Sequence, residues 1–329
     1  MTTEAAEGVA PRTTLRRLLT YAWAAILLFS VVEVVTHYVI RSRVAPMSDW
    51  RAAASFVRQE SRPRDLMLAV PLWADPILRE VIGDRISVED AGRSDIARYD
   101  RIWVFSIRGA ESDEVPHRAP NFTREFGGVK VMRWDLPPSR VVYDLTAHIR
   151  DAEVSIFENG VARPCPFRQG SGGGDGGGLS TGVLTPASRF ICDPGRPWLW
   201  VAQTVNEDLD LMPRYCVWQH PAGREAIRVT FRDVPLGTRL VLYGDIFSEH
   251  ERMLERGPVD AVVRVNGNEV GHMVHRDGDS WKRMEVVTSP DGSNATGEVT
   301  IDLSAADPHL RTFCWAATTR NGERSEDAQ

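Results

Sequence analysis

Ala226-Ile-Arg-Val-Thr-Phe-Arg232 alternates strictly, with Ile227, Val229 and Phe231 on one side and Arg228, Thr230 and Arg232 on the other. A period of two marks a strand with one face in a core and the other in water. Residues 297–303 repeat the pattern with Val299, Ile301 and Leu303. Between these two stretches, strands are predicted over 239–247, 259–265, 270–275 and 281–288. Turn signals separate them at Pro235-Leu-Gly237, Asn266-Gly267 and Asp277-Gly278. Outlying strands are predicted over 154–157, 198–203, 215–219 and 311–318. Eight to ten short strands at this spacing predict an antiparallel, jelly-roll-like β-sandwich over residues 141–320.

All four cysteines, Cys165, Cys192, Cys216 and Cys314, fall inside this region, with no CxxC spacing and no histidine pattern suited to zinc. They point to two disulfides and therefore to an oxidising compartment, with three pairings open. A Cys165–Cys192 bond would close the loop that carries the flexible glycine-rich run 170–178 (GSGGGDGGG). A Cys216–Cys314 bond would then tie the centre of the domain to its last strand.

Upstream, over residues 48–136, helix and strand signals alternate. Ser48 is placed to cap a helix through Trp50, Ala53, Ala54, Phe56 and Val57, whose spacing is helical. Residues 65–71 form a continuous apolar run, as in a buried parallel strand. Asp75 is placed to cap a helix over 76–82, with Pro76 at its first position and Gly83 ending it. Strands are predicted over 85–89, 101–107 and 128–134. The alternation predicts a small Rossmann-like α/β domain. No GxGxxG or GxxxxGK[ST] follows a strand, so no loop is built for a pyrophosphate.

Further upstream, residues 18–40 (LLTYAWAAILLFSVVEVVTHYVI) span roughly 34 Å as a helix, enough to cross a bilayer once. The run exceeds the apolar core of a cleaved signal peptide, and predicts a retained signal anchor. Flanking arginines (Arg12, Arg16, Arg17 against Arg41, Arg43, Arg51) balance, so charge alone does not orient it. The cysteines do. They predict a cytoplasmic N-terminus (1–17), a single pass through the inner membrane, and periplasmic or extracellular domains ending in a disordered tail (321–329). Glu33 and His37 stand four apart on one face of this helix. Ionisable groups inside a bilayer usually face protein or water. Three readings of the pair are open: snorkelling near the outer end, contact with a partner helix, and ligation of a tetrapyrrole metal by His37.

Several short motifs carry a resemblance. The spanning helix is followed by Asp49-Trp50-Arg51-Ala-Ala-Ala, Arg62-Pro63-Arg64-Asp65, Pro71-Leu-Trp73 and Tyr99-Asp100-Arg101-Ile-Trp103. Residues 20–110 thus resemble the last transmembrane helix and extracytoplasmic tail of polyprenyl-phosphate-dependent membrane glycosyltransferases. Those enzymes hold their catalytic acids in an early loop between transmembrane helices that this chain lacks. The resemblance therefore implies topology and assigns no catalytic residue. Residues 141–320, through the Val265-Asn266-Gly267 hairpin followed by Trp281, loosely resemble galactose-binding-type jelly rolls, a likeness of fold that does not carry function.

Composition narrows the functional classes. A mean hydropathy of −0.26 excludes a polytopic channel or transporter. The net charge of −6, with 19 basic against 27 acidic residues from Val141 onward, argues against nucleic acid or anionic lipid as partner of the β domain. His220, His250, His272 and His275 stand near no serine or cysteine in a nucleophile motif such as GxSxG, so no hydrolytic triad is assigned. Asp208-Leu-Asp210 reads as an exposed acidic loop. Asp277 and Asp279 are the candidate oxygen ligands for calcium, on a stretch too short for an EF-hand. Trp198, Trp200 and Trp281 are candidate glycan-facing aromatics, set against core packing, which Trp198 and Trp200 on one strand face favour. The expected protein is a non-catalytic accessory or structural subunit, bound to the bilayer and to other membrane-protein subunits. The competing expectation is a carbohydrate-binding protein serving envelope polysaccharide or glycolipid assembly.

Overall fold

The computed structural model describes residues 12–42, 44–170, 185–253, 256–289 and 295–322. The glycine-rich run from 171 on and the tail from 323 on lie outside them. Helix α1 (Arg12–Ser42) contains the stretch Tyr21–Arg41, apolar and long enough to cross a bilayer, with every side chain exposed. The chain divides into two compact units. One holds residues up to Ser61 with 68–83 and 103–134; the other holds 62–67, 84–102 and everything from Asp135.

Helix α2 (Met47–Glu60) buries Trp50, Ala53, Ala54 and Val57, the face its spacing predicts. Ser48 does not cap it. Pro46 is the N-cap, and the Ser48 hydroxyl turns to Asp49 instead. Strand β1 (Asp65–Val70) is buried along its whole length, as its apolar run requires. Helix α3 (Asp75–Ile82) begins at Asp75, which pairs with Arg79 instead of capping, and Gly83 ends it at φ +73°. Where a strand is predicted over 85–89, the chain instead makes the short helix α4 (Val88–Ala91). The reason is local: the Ser87 hydroxyl accepts the Asp90 N–H while the Asp90 carboxylate accepts the Ser87 N–H, satisfying two orphan donors.

Strands β2 (Arg101–Ile107), β3 (Phe122–Phe126) and β4 (Val129–Asp135) complete a four-stranded sheet of order β1-β2-β4-β3. Strands β3 and β4 form an antiparallel hairpin. A hairpin in place of the last expected strand, and a helix in place of another, leave the Rossmann-like expectation unsupported. The hairpin turn needs glycine. Gly127 lies at φ +58°, a side chain there would collide with the Asp49 carboxylate, and the Gly128 N–H donates to that carboxylate at 2.8 Å.

The second unit is the β-sandwich. Its strands open with β5 (Val141–Asp144), β6 (Glu153–Glu158), β7 (Val161–Pro164), β8 (Phe167–Arg168), β9 (Arg189–Ile191), β10 (Trp200–Glu207) and β11 (Pro213–Gln219). They continue with β12 (Ile227–Pro235), β13 (Arg239–Ile246), β14 (Val259–Val265), β15 (Asn268–His275), β16 (Lys282–Val287), β17 (Thr296–Ala305) and β18 (Phe313–Arg320). A four-residue helix, α5 (Ser248–Glu251), follows β13. The larger sheet runs β16-β13-β18-β11-β10-β9-β8 with β5 also on β18, and the smaller runs β15-β14-β17-β12-β6-β7. Pairing is antiparallel throughout the ladders of both sheets.

The alternation read from the sequence is the alternation of the core. Ile227, Val229 and Phe231 of β12 and Val299, Ile301 and Leu303 of β17 meet Leu240, Leu242 and Trp315 of the larger sheet in one apolar cluster. On the outward side Arg228 grips Asp302 through two hydrogen bonds of 2.6 and 2.7 Å between paired strands. Cys165 is bonded to Cys192 and Cys216 to Cys314.

His220 is 6 % exposed, and burial pulls its imidazole down to about 4, with Nδ1 2.8 Å from the Pro221 carbonyl. Its folded value lies below its unfolded 6.5. The stability it allows is therefore full above pH 6.5 and lost as pH falls toward 4. The expected loss is roughly 3 kcal/mol, and His220→Gln flattens unfolding free energy against pH in that window. Chemical denaturation from pH 7 to 4 measures it, and identical slopes for the two proteins would refute it.

Candidate functional site

The outer face of the larger sheet carries a cleft, and residues 87–98 form its wall. Each of four consecutive residues in this segment is fastened to the sheet. The Gly92 carbonyl accepts the Tyr215 N–H at 2.5 Å, and the Arg93 carbonyl accepts Arg214 at 3.0 Å. The Ser94 carbonyl accepts the Trp281 indole N–H at 3.3 Å. Asp95 accepts the Tyr243 hydroxyl at 2.8 Å and Arg320 Nη2 at 2.6 Å. Only glycine fits at 92, since a Cβ there would lie 2.5 Å from the Tyr215 nitrogen.

Electrostatics hold the segment further. Burial opposes ionisation of Asp95, but the Arg320 guanidinium and the Ala97 N–H outweigh it and keep the carboxyl below its ordinary 3.8. Arg98 lies between Asp144 and Glu89, bonding the first through Nη2 and the second at 3.4 Å. Burial lowers the Arg98 value, yet the carboxylates of Asp144 and Glu89 hold it above normal.

The cleft is small and shallow and opens to solvent. Val241, Ala316 and Thr318 of the sheet line it together with Glu89, Arg98, Asp144 and Tyr215. Glu89 and Arg98 come from the wall segment, and Asp144 and Tyr215 from two other stretches of the sequence. None of them is singled out by a sequence motif. The capping box Ser87-x-x-Asp90 is the one local signal that points to the wall.

Of the sequence-predicted candidates, Trp281 braces the cleft wall, and the others lie away from the cleft. Trp198 lies in the turn before β10 and is 50 % exposed, so it does not share a strand face with Trp200. Trp200 is 3 % exposed and stacks on Trp218 at 5.0 Å. Trp281 stacks on Tyr243 at 5.8 Å, with Arg214 5.4 Å over its ring. Asp208 is fully buried, contrary to an exposed acidic loop; it accepts the Asp210 and Met212 N–H groups and pairs with Arg214 at 2.7 Å. A turn closes around a buried carboxylate here, which the run of acidic residues disguises.

The two calcium candidates are each answered by a cation. Asp277 pairs with the fully buried Arg311 at 2.5 Å and Asp279 with Lys282 at 2.7 Å. Among the described residues no three of His, Cys, Asp and Glu gather as metal ligands. Behind this turn Glu251 accepts the Gly278 and Ser280 N–H groups at 2.9 and 3.0 Å, with burial raising its carboxyl. Burial also pushes the Asp245 carboxyl well above its ordinary value; Asn206 donates to it at 2.9 Å.

The motifs behind the glycosyltransferase resemblance are structural pairs. Arg101 grips Asp65 at 2.6 and 2.8 Å, Arg64 holds Asp100, and Trp50 stacks on Phe105 at 6.4 Å. Glu33 and His37 both lie exposed on α1.

No protein-family model and no curated protein matches the chain. Among solved structures it is similar to the CBM51-2 and INT domains from Clostridium perfringens ZmpB, with 14% identity and a TM-score of 0.29 over 52% of this chain and 37% of that one. It is also similar to the CBM51 from Clostridium perfringens GH95 in complex with methyl-galactose, with 7% identity and a TM-score of 0.27 over 36% and 81%. A third is the tandem CBM51 modules of Sp3GH98, the family 98 glycoside hydrolase from Streptococcus pneumoniae SP3-BS71, with 11% identity and a TM-score of 0.31 over 60% and 57%. The chain thus spans under two fifths of the length of the first of these. The glycosyltransferase resemblance of residues 20–110 is not shown by these comparisons.

Proposed function

We propose that the chain is a non-catalytic, single-pass membrane protein that binds glycans outside the cytoplasm through the cleft on its larger sheet. The observation that carries this reading is the row Glu89–Arg98–Asp144 beside the Tyr215 hydroxyl, which has no hydrogen-bond partner among the described residues. Each sugar hydroxyl both donates and accepts. A guanidinium set between two carboxylates offers donors and acceptors side by side, the pattern that adjacent hydroxyls need. Two disulfides in the sandwich fit an oxidising compartment, and α1 fits an anchor. The accessory-subunit reading rests on one feature, the polar face of α1.

The test is binding of methyl glycosides (neutral hexoses, hexosamines and uronic acids) to the full chain in nanodiscs by titration calorimetry. At least one class is expected to bind. Arg98→Ala then weakens it by roughly 10- to 100-fold, as loss of a charge-assisted hydrogen bond implies, and Tyr215→Phe weakens it several-fold. Binding that survives Arg98→Ala but disappears with Trp198→Ala moves the site to the exposed turn and refutes the cleft.

A further inference from the structure

Helix α1 carries more order than an anchor needs. Trp23, Ile26, Ser30, Glu33, His37 and Ile40 recur at alternating steps of three and four residues. That is the 3.5-residue period of a left-handed helix pair, so all six share one seam. Three polar residues of the span sit on it. Ser30 spends its hydroxyl on the Ile26 carbonyl at 3.0 Å. Glu33 and His37 have no hydrogen-bond partner among the described residues and are exposed.

Depth makes this costly. With the span ending at Arg41, Glu33 lies eight residues inside it, about 12 Å below the boundary at 1.5 Å per residue. A glutamate side chain is too short to bring its carboxylate to the headgroups from there. A buried polar group of this kind is retained when another helix answers it.

We infer that the occupant of this seam is α1 of a second copy of the chain, in parallel register. The face is complementary to itself. Around a two-fold axis along the pair, Glu33 faces its own symmetry mate, and the partner's His37 lies one layer away, about 6 Å along the axis, within side-chain reach of the Glu33 carboxylate. The imidazole N–H donates and the carboxylate accepts, twice, by symmetry. A foreign helix would have to supply both an acceptor and a donor at this spacing, and a second copy already carries them. The inference rests on α1 spanning the membrane.

The full chain is extracted in mild detergent and its mass measured by light scattering, after alkaline carbonate washing of the membranes. Expected are retention in the washed membranes and a mass of two 36.7 kDa chains. Glu33→Leu with His37→Leu halves the mass. The exchange Glu33→His with His37→Glu stays dimeric, because both members remain on the seam. Ser30→Cys cross-links the two copies, whereas Leu28→Cys, on the opposite face, does not. Release by carbonate overturns the spanning helix and the pairing with it. Retention as a monomer overturns the pairing alone, as does a different membrane protein that co-purifies and is lost in the exchange variant.

Discussion

Asp95→Ala is expected to lower the unfolding free energy of the β-sandwich by roughly 3 kcal/mol, the lower end of the cost of breaking a buried ion pair. The lower end applies because Asp95 keeps 23% side-chain exposure, while Arg320 keeps only 7%. Removing the carboxylate strands the Arg320 guanidinium against the sheet and takes the acceptor from the Tyr243 hydroxyl. Asp95→Asn, which can still accept from Tyr243, falls between the two. For a unit of this size the loss corresponds to a fall in Tm of roughly 6–12 °C, read by tryptophan fluorescence.

The same substitution acts on the site. Asp95 is one of four consecutive fastenings of the cleft wall, so Asp95→Ala also removes glycan binding, whereas Glu298→Gln on the other sheet leaves binding unchanged. The dependence on pH has a definite sign. The folded value of Asp95 lies below the ordinary 3.8, so its contribution is full above that pH and is lost as pH falls through the folded value. The gap between wild type and Asp95→Ala therefore closes only in that acid limb. A gap under 1 kcal/mol at pH 7 would mean that the wall is held by its backbone contacts alone.

How far the sequence carries depends on whether one face of an element is wet. Strand β14 is legible to the residue, Val259–Val265, because its side chains alternate between buried and half-exposed. Strand β13 is buried at all eight positions, and only its flanking turns mark its ends. Strands β7 and β8, short and exposed, leave no periodic signal and are absent from the sequence reading. Over 85–89 the apolar Ile86 and Val88 imitate a strand, while the deciding information lies in Ser87 and Asp90, whose mutual hydrogen bonds select a helix. The candidate cleft is the least legible part. Arg98 meets Asp144 across 46 residues, and Tyr243 meets Asp95 across 148, so no local pattern announces either pair. The tryptophans mislead for the opposite reason: they are conspicuous in sequence, yet Trp200 and Trp218 spend their faces on each other.

The largest expected effect comes from the Cys216–Cys314 bond, which lies across the register from Val217–Trp315 and Trp218–Cys314 where β11 meets β18. Both sulfurs are fully buried, against Trp200, Ala202 and Trp218. The bond joins residues 98 apart, against 27 for Cys165–Cys192. On loop-closure entropy, removing the first costs about 4.7 kcal/mol and removing the second about 3.5 kcal/mol. The difference between them in practice should be larger, because Cys216→Ser with Cys314→Ser also places two hydroxyls in an apolar cluster, whereas Cys216→Ala with Cys314→Val does not. The alanine–valine variant therefore isolates the tether from the burial penalty. The expected order of stability is wild type, then Cys165→Ala with Cys192→Ala, then the alanine–valine variant, then the double serine. Denaturant unfolding of the four proteins under oxidising conditions measures it. If the alanine–valine variant matches wild type within 1 kcal/mol, packing of β11 on β18 holds this part of the sandwich without the tether, and the cleft on the same face would survive reduction.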